Sequence, residues 1–423
     1  MSTSTKNQSK ILVDIGSSTV KVYKQKGSAV SPLFTRSIPF KERFDQDIGI
    51  YEPNKTELFE LLNEIKDKHP DSQIKLYATA LYRKLTTKAK TELIYEVFVR
   101  TGLFFNIISH ELENFYLEIA LVGKYTKDEP VLLVNIGGGS TELVAMYGNE
   151  AVEKRNIDFG VGTILTNFPK LNENYSGHDL QEVVESIKEK LPELQNGFST
   201  AIYNGGELTY MRLAKYKLDK NLIFSDPNHP NTISAEYFLK RNREIYSEVS
   251  INDLKNLMPD NPNWMLGSRA CCAIAQAVFD KYNVKTIVPS DSNLIDGVVR
   301  QEFRYVTISG SFRKHLPYIL EARKKLVEGK VQVLSSRFTE PKNPGEEFVV
   351  FTGEENATPL ELERHHLDSI NRSDALIVCD PEGYVGASAL IEIGYAQSIG
   401  KRIIFTEKPE EFMLNTLPRE VGL

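Results

Sequence analysis

The sequence predicts an α/β protein in which apolar strands alternate with amphipathic helices. Three observations support this class. Glycine-bounded apolar runs recur along the chain, segments of helical periodicity separate them, and one strand–turn–strand pattern occurs twice. The chain has 423 residues, which is long enough for two or three domains with sizeable cores.

The composition limits the classes of function. Charged residues make up 26% and hydrophobic residues 41%, as in an ordinary globular protein. A net charge of −6 predicts neither general nucleic-acid binding nor membrane binding, so any phosphate site must be local. Cys271, Cys272 and Cys379 lack metal-ligand or redox spacing, which favours a reducing cytoplasm. Residues 1–10 are polar and lack an apolar signal core, and we expect them to form a disordered leader.

The repeated pattern occurs in KILVDIGSSTVKVYK and in VLLVNIGGGSTELVAMYG. Each copy contains an apolar strand, a polar residue, Ile-Gly, small hydroxyl residues and a second strand. The polar residue is Asp14 in the first copy and Asn135 in the second. Clustered backbone N–H groups in such turns bind anions, and a carboxylate beside phosphate usually holds a metal ion or orients water. Two copies predict two related lobes that face each other.

Helical periodicity predicts helices in KTELFELLNEIKDKH, TELIYEVFVRTG, HELENFYLEIALVGK, DLQEVVESIKEKLPELQ and RACCAIAQAVFDKYNV. A further α/β unit begins near Tyr305, where the strand VTIS runs into a Gly-Ser turn. In this unit Glu392 is unusual because it stands among Ala, Leu and Ile. The pattern alone favours an acid that interacts with the helix dipole over a nucleophile.

From about residue 11 to residue 300 the motifs resemble, in order, those of the exopolyphosphatase/guanosine pentaphosphate phosphohydrolase (Ppx/GppA) family. DIGSSTVKV resembles its first phosphate loop and NIGGGSTE its second. YATALYR resembles the segment that supplies an arginine, NIISHELENFY the segment with the catalytic glutamate, and FGVGT and YNGGELT the later glycine turns. The resemblance implies two ribonuclease H-like lobes of the actin-like ATPase superfamily, over residues 11–125 and 126–303.

The same resemblance implies roles for individual residues. Glu113 and Glu142 would be catalytic, with Glu113 serving the attacking water, and Arg83 would neutralise phosphate charge. Mg²⁺ would be held by Asp14, Asn135 and Glu142. The ligand would be polyphosphate or a phosphorylated nucleotide. The residues implied to bind its phosphates, besides Arg83, are Gly16, Ser17, Ser18, Thr19, Gly137, Gly138, Gly139, Ser140 and Thr141.

Asn135 departs from the family pattern, which usually has aspartate at this position. An amide brings no negative charge to a metal ion. Two interpretations stay open: an active phosphatase that tolerates the amide, and a nucleotide-binding pair of lobes with impaired hydrolysis. His110 stands where the family usually has glycine, and we expect a surface loop histidine there.

Residues 304–423 resemble the Rossmann-like nucleoside 2-deoxyribosyltransferase fold, which includes nucleoside monophosphate N-glycosidases. ISGSFR matches the first-strand turn, and DALIVCDPEGYVGASALIEIGYAQSIG ends on the segment with the nucleophilic glutamate, at Glu392. The supporting aspartate of that family falls on His366, which could protonate a departing base. We otherwise expect His365 and His366 to lie on a helix surface. The residues implied to bind a nucleoside are Gly310, Ser311, Arg313, Asp374, Tyr384 and Gly386.

Three hypotheses describe the whole chain. The first is a bifunctional enzyme that hydrolyses phosphoanhydrides and cleaves or transfers an N-glycosidic bond. The second is a sensor whose lobes bind a phosphorylated signal and gate the C-terminal glycosidase by lobe closure. The third is a scaffold with two inactive domains. We also expect a homo-oligomer, because members of both families commonly self-associate.

Overall fold

The computed structural model describes residues 9–121, 129–148, 150–195, 197–226, 228–259, 261–335, 337, 339–346 and 348–422. The chain divides into two compact units. Unit 1 comprises Met1–Phe115 and Val298–Leu423, and unit 2 comprises Tyr116–Gly297. Residues 1–8 of the expected leader lie outside the described part. Within the described part, no helix has the length and apolar character needed to cross a membrane.

The first sheet of unit 1 has the strand order β3-β2-β1-β4-β5. Its first three strands are antiparallel, whereas β4 and β5 run parallel to β1. The elements of this part are β1 (Lys10–Ile15), β2 (Thr19–Lys26), β3 (Ala29–Ser37), α1 (Glu52–Lys68), β4 (Gln73–Ala78), α2 (Thr87–Thr101), β5 (Phe105–Ile107) and α3 (His110–Leu121). Because β1, β4 and β5 are parallel, the turns that follow them meet at one edge of the sheet.

Local sequence explains where the helices of this part begin and end. Proline in the first turn starts α1, and its apolar face buries Leu58, Leu61 and Leu62 in the core. The Thr86 side chain accepts a hydrogen bond from Ala89 N at the start of α2. Gly102 ends that helix with a left-handed φ of 73°. The helices predicted in KTELFELLNEIKDKH and TELIYEVFVRTG are confirmed, and so is the one predicted in HELENFYLEIALVGK up to residue 121, whereas its residues 122–124 lie outside the described part.

Unit 2 is built on a sheet of seven strands in the order β10-β11-β12-β9-β6-β7-β8. Its strands are β6 (Pro130–Ile136), β7 (Thr141–Tyr147), β8 (Glu150–Ile157), β9 (Thr200–Asn204), β10 (Asp219–Lys220), β11 (Asn231–Ser234) and β12 (Thr286–Pro289). Its helices are α4 (Val161–Asn167), α5 (Leu180–Lys188), α6 (Glu207–Leu213), α7 (Ala235–Ser247), α8 (Ile251–Asn256), α9 (Ser268–Lys281) and α10 (Leu294–Arg300), whose last residues belong to unit 1. The apolar helix α9 forms much of the core.

The internal repeat is confirmed at the level of strand register. Asp14 lies opposite Lys21 in the β1–β2 hairpin, and Asn135 lies opposite Glu142 in the β6–β7 hairpin. Gly16 N donates to Thr19 O at 2.9 Å, and Gly137 N donates to Ser140 O at 2.8 Å. The two turns therefore differ in charge, since an acid faces a lysine in the first and an amide faces an acid in the second.

The second sheet of unit 1 is entirely parallel and has the order β14-β13-β15-β16-β17. Its elements are β13 (Tyr305–Gly310), α11 (Phe312–Glu328), β14 (Gln332–Ser335), α12 (Pro359–Arg372), β15 (Ala375–Cys379), α13 (Ala387–Ser398), β16 (Arg402–Phe405) and β17 (Glu420–Val421). The direction of strand order reverses between β13 and β15. In open parallel sheets, ligands bind at this point, outside the carboxyl ends of the strands.

A buried ion cluster ties the two sheets of unit 1 together. Glu302 Oε1 accepts from Lys75 Nζ on β4 and from Arg402 Nη2 on β16, each at 2.6 Å. Arg402 Nε also donates to Glu420 Oε1 at 2.6 Å. Burial alone would raise the pKa of Glu302, but the two facing cations hold that pKa well below its usual range.

Candidate functional site

Three groups of unit 1 meet at the carboxyl edge of its first sheet. Asp14 is half-buried at the end of β1, followed by the partly exposed turn 16–19. Burial raises the pKa of Asp14 to about 6, Lys21 opposes the rise and the nearby charge of Glu113 adds to it. The hairpin thus presents a turn beside a carboxylate whose pKa is raised by burial.

Arg83 and Glu113 form the closest ion pair of this edge. Arg83 lies in the 3₁₀ turn Ala80–Lys84 that follows β4, and Glu113 lies in the first turn of α3. Arg83 Nη1 donates to Glu113 Oε2 at 2.5 Å, and the side chains are 11% and 16% exposed. A partly buried carboxylate held by one arginine can orient and deprotonate water, while the guanidinium can meet phosphate oxygens.

His110 is not the surface loop residue that we expected. It is the first residue of α3 and is only partly exposed. The segment before Glu113 forms a helix start in which Ser109 Oγ accepts from Leu112 N at 3.1 Å, so His110 continues into regular helix.

The second hairpin holds Glu142 as a buried carboxylate. Glu142 is 2% exposed, and its oxygens accept from Asn135 Nδ2 at 2.9 Å and from Ser140 Oγ at 2.6 Å. Gly138 and Gly139 are exposed at the tip of the turn. The structure therefore brings together Asn135, Ser140 and Glu142, and it presents the glycine backbone on the surface where an anion can approach.

The FGVGT turn packs directly on this glycine loop. A Cβ on Gly160 would lie 2.3 Å from Gly137 O and 2.8 Å from Ser140 N. Val161 N and Gly162 N donate to Gly137 O and Gly138 O at 3.0 and 2.8 Å. Only glycine fits at position 160, because any side chain would displace the loop.

The present side-chain arrangement in unit 2 does not fit a metal ion well. The amide N–H of Asn135 donates to the carboxylate of Glu142, so the amide turns a hydrogen-bond donor and not a ligand oxygen toward this acid. Among the described residues, no three His, Cys, Asp or Glu side chains are grouped so that they could hold a metal ion. The carboxylate of Glu142 accepts hydrogen bonds from the neutral side chains of Asn135 and Ser140 instead.

Two buried groups in unit 2 were not predicted from the sequence. Asn204 lies in register with Asn135, is 1% exposed, and neither of its side-chain polar atoms has a hydrogen-bond partner within the described ranges. Burial raises the pKa of Glu207 to about 8, which keeps this carboxyl largely protonated at neutral pH. Both flank the YNGGE turn, in which Gly205 and Gly206 have φ of 120° and 99°. The sequence does contain a pattern that could have identified this site, because a polar residue ends a buried strand directly before two glycines.

The C-terminal sheet of unit 1 has its own cavity at the reversal point. It has a volume of about 280 Å³. Gly310 has φ 148°, and a Cβ there would lie 2.7 Å from Cys379 O, so the strand end requires glycine. Six predicted site residues line the cavity, namely Gly310, Ser311, Arg313, Tyr384, Gly386 and Glu392.

Glu392 and His366 face each other in this cavity, which corrects the expected surface position of His366. Both side chains are buried, and His366 Nε2 lies 3.2 Å from Glu392 Oε2 but out of line for a hydrogen bond. His366 Nδ1 lies 2.8 Å from Ser335 Oγ. Burial alone would raise the pKa of Glu392 and lower that of His366, but each charge stabilises the other, so the pKa of Glu392 falls and that of His366 rises.

Asp374 lies away from Glu392, at the opposite end of β15. Its Oδ2 accepts from Arg304 N at 2.6 Å and from Tyr305 N at 2.7 Å, which fixes the start of β13. The residue lines a different cavity of unit 1. We therefore treat Asp374 as a structural residue and not as part of the nucleoside site.

The structure is thus an α/β protein with glycine hairpins in two copies and an acid–arginine pair beside the first. A model of the Ppx/GppA phosphatase family matches residues 41–305. The chain belongs to this family. Residues 306–423 lie beyond the match, and no curated protein matches the chain.

Solved structures share the fold at low sequence identity. A type II variant of the Aquifex aeolicus Ppx/GppA phosphatase is 20% identical with a TM-score of 0.54, and the alignment covers 69% of this chain and 98% of that one. An exopolyphosphatase from Cytophaga hutchinsonii is 15% identical with a TM-score of 0.56, over 69% of this chain and 96% of its own. At these identities the likeness establishes the fold only, and it confirms the predicted α/β class.

Proposed function

We propose that this chain hydrolyses phosphoanhydride bonds of inorganic polyphosphate or of a phosphorylated guanosine nucleotide. The observation that carries the proposal is the Arg83–Glu113 pair, 2.5 Å apart at the sheet edge that also bears Asp14. Family membership over residues 41–305 supports a phosphohydrolase. The glycine turn of unit 1 and that of unit 2 each present backbone N–H groups of the kind that bind phosphate.

Each group has a distinct role in this reaction. Glu113 orients a water molecule and takes its proton as the water oxygen attacks the terminal phosphorus. The bond between that phosphorus and the bridging oxygen breaks, and the electron pair leaves with the shortened chain. Arg83 turns from Glu113 toward the phosphate oxygens and offsets the charge that spreads over them.

Ppx/GppA enzymes typically use a divalent metal ion, which supplies additional charge neutralisation when bound. Mg²⁺ is our proposal for this chain, with the Glu142 carboxylate and the Asn135 amide as candidate ligands in unit 2 and the Asp14 carboxylate as a candidate ligand in unit 1. Asn135 would have to turn its carbonyl oxygen toward the ion, which breaks the hydrogen bond to Glu142. We therefore expect Mg²⁺ to bind weakly.

The same hydrogen bond favours a second candidate function. Asn135 and Ser140 satisfy both oxygens of Glu142, so the second hairpin is stable without a cation. Such a hairpin can bind a phosphorylated ligand without turnover, as a sensor would. Binding of that ligand would then gate the C-terminal domain.

Phosphate release from the purified full chain separates the two candidates. Polyphosphate and guanosine pentaphosphate are each incubated with the protein and Mg²⁺, and binding is measured in parallel by calorimetry. Sustained release of phosphate supports the hydrolase. Tight binding with no release contradicts the hydrolase and supports the sensor.

For residues 304–423 we propose N-glycosidase or deoxyribosyltransferase-like activity at the cavity that contains Glu392. The carboxylate attacks the anomeric carbon of a bound nucleoside or nucleotide while the bond to the base nitrogen breaks. The departing base takes a proton from His366, whose pKa is raised. Water then hydrolyses the glycosyl ester and returns a proton to His366.

Release of free base from nucleoside monophosphates tests this second activity. Glu392→Gln keeps the shape of the side chain but removes the nucleophile, so base release should cease. Glu328→Gln on exposed α11 is the matched control and should leave base release unchanged. No base release from the unaltered protein with any nucleoside or nucleotide contradicts the assignment.

A further inference from the structure

Unit 1 contains a cavity of about 870 Å³ whose lining includes Arg83 but not Asp14, Glu113 or Glu392. Its walls come from the connection between β5 and α3, the start of β13, the end of α12 and the residues before β16. It is therefore bounded by both sheets of unit 1. Its volume suits an organic or chain-like ligand and far exceeds that of a single phosphate ion.

Basic side chains dominate the lining of this cavity. Five of them have no carboxylate within ion-pair distance among the described residues, namely Lys90, Arg304, Arg337, Arg372 and Lys401. Two acids also line it, but Asp374 is engaged by two backbone N–H groups and Glu111 is exposed. Arg402 lines the cavity as well, and its charge is already balanced by Glu302 and Glu420.

Lys90 and Lys401 approach each other across Gly400. A Cβ on Gly400 would lie 3.2 Å from Lys90 Cε, so the lysine stem packs over the glycine. Lys401 Nζ donates to Asn371 O and Ser373 O, at 3.0 and 2.5 Å, which leaves one of its three N–H donors unused. Burial, together with the charge of Lys90, lowers the pKa of Lys401 to about 8. An anion placed between the two lysines would relieve this repulsion.

The cavity also reaches the candidate phosphatase residues. Arg83 lines it, and Arg83 Nε is buried without a hydrogen-bond partner in the described ranges. Ser109 and His110, at the start of the 12-residue helix α3, line the same wall, so the positive end of that helix adds to the basic side chains. A single anionic group could not engage cations on all of these walls at once.

We propose that this cavity is a second binding site, next to the candidate phosphatase residues at Arg83 and distinct from the cavity of Glu392, for a ligand that carries a chain of at least two phosphates. The chain could belong to an inorganic polyphosphate or to a nucleotide, since the cations recognise the phosphates in either case. The proposal does not depend on whether the chain hydrolyses phosphoanhydrides. It requires only that the basic lining stays accessible.

Lysine labelling read by mass spectrometry tests this site directly. The full chain is acetylated in EDTA with a limiting amount of reagent. Parallel samples contain inorganic tripolyphosphate, ATP, or sodium chloride at matched ionic strength. Lys90 and Lys401 should be labelled several-fold less with tripolyphosphate or ATP than with salt alone. Lys88, in the same helix and 83% exposed, is the internal control and should be labelled equally in all samples. If tripolyphosphate reduces lysine labelling more than ATP does, the ligand is an inorganic polyphosphate; the reverse result indicates a nucleotide.

Affinity measurements on variants supply the second readout. Lys90→Gln should weaken binding of the protecting probe about tenfold, as expected for loss of one charge-assisted hydrogen bond. Lys88→Gln should leave the affinity unchanged, and circular dichroism verifies that both variants fold. The proposal is overturned if neither tripolyphosphate nor ATP reduces the labelling of Lys90 and Lys401 relative to salt alone. It is also overturned if Lys90→Gln and Lys88→Gln bind the probe with equal affinity.

Discussion

Replacing Asn135 by aspartate should convert the second hairpin into a metal-dependent site. The substitution exchanges an N–H donor for a carboxylate at the position that now lies 2.9 Å from Glu142 Oε2. Two unit charges at that separation repel by about 6 kcal/mol at an effective dielectric constant of about 20. Without a cation, the pair must therefore share a proton or separate, and unit 2 loses stability at neutral pH.

A divalent cation reverses the sign of this interaction. If Mg²⁺ is present at about 100 times its dissociation constant, it stabilises the variant by about 2.7 kcal/mol. For a domain the size of unit 2, each kcal/mol corresponds to roughly 2–4 °C, so Mg²⁺ should raise the melting temperature of Asn135→Asp by roughly 5–10 °C. Differential scanning calorimetry in EDTA and in Mg²⁺ measures this shift.

The unaltered protein and a double variant provide the comparison. Mg²⁺ should raise the melting temperature of the unaltered protein much less, because Glu142 there already accepts hydrogen bonds from Asn135 and Ser140. The double variant Asn135→Asp/Glu142→Gln has a single carboxylate in this hairpin, so Mg²⁺ should also raise its melting temperature only slightly. Equal Mg²⁺ shifts in all three proteins would refute the interpretation that the amide replaces a cation.

Three further predictions concern other parts of the molecule. Glu302→Gln leaves Lys75 and Arg402 without their shared acid and should lower the free energy of unfolding, measured in urea, by about 3 kcal/mol. The control Glu328→Gln, at an exposed position, should change this free energy little. Because the pKa of Glu302 is depressed in the folded state, its stabilising contribution should be complete above the unfolded pKa and be lost only under strong acid. Gly160→Ala should destabilise the protein by about 1–3 kcal/mol because its Cβ would meet Gly137 O, whereas Gly197→Ala, which has open space, should be neutral by the same assay. Base release should fall as pH rises through the raised pKa of His366, and His366→Asn should lose this pH dependence, whereas an unchanged profile would contradict a role in protonating the base.

Local patterns explain what could be predicted from the sequence. Both hairpins were predictable because the glycines, the small hydroxyl residues and the flanking strands are contiguous, and register follows from alternation along each strand. The helices were predictable for the same reason, since apolar periodicity and caps such as Thr86 and Gly102 are read within one segment. The glycine at position 310 was likewise identified by its place between a strand and a helix.

Contacts between distant segments could not be predicted in this way. Lys75 and Glu302 are separated by 227 residues, and nothing near either residue indicates its partner. His366 was expected on a helix surface as one of two adjacent histidines, although the resemblance also placed it where the family has its supporting acid, and packing of α12 against α13 buries it against Glu392. Asp374 matched a family motif by position, but the direction of β15 places it at the edge away from the site. These outcomes depend on topology and not on local propensity.

The rate of phosphate release by Glu113→Gln tests the central claim most directly. The substitution removes the base but keeps the size of the side chain beside Arg83, and Glu328→Gln at an exposed position outside both cavities is the control. We predict that Glu113→Gln releases phosphate from polyphosphate at least about 100-fold more slowly than the unaltered protein, with ligand affinity within a few-fold. Release by Glu113→Gln at the unaltered rate, or an equal loss in Glu328→Gln, would contradict the assignment of Glu113 as the residue that activates water.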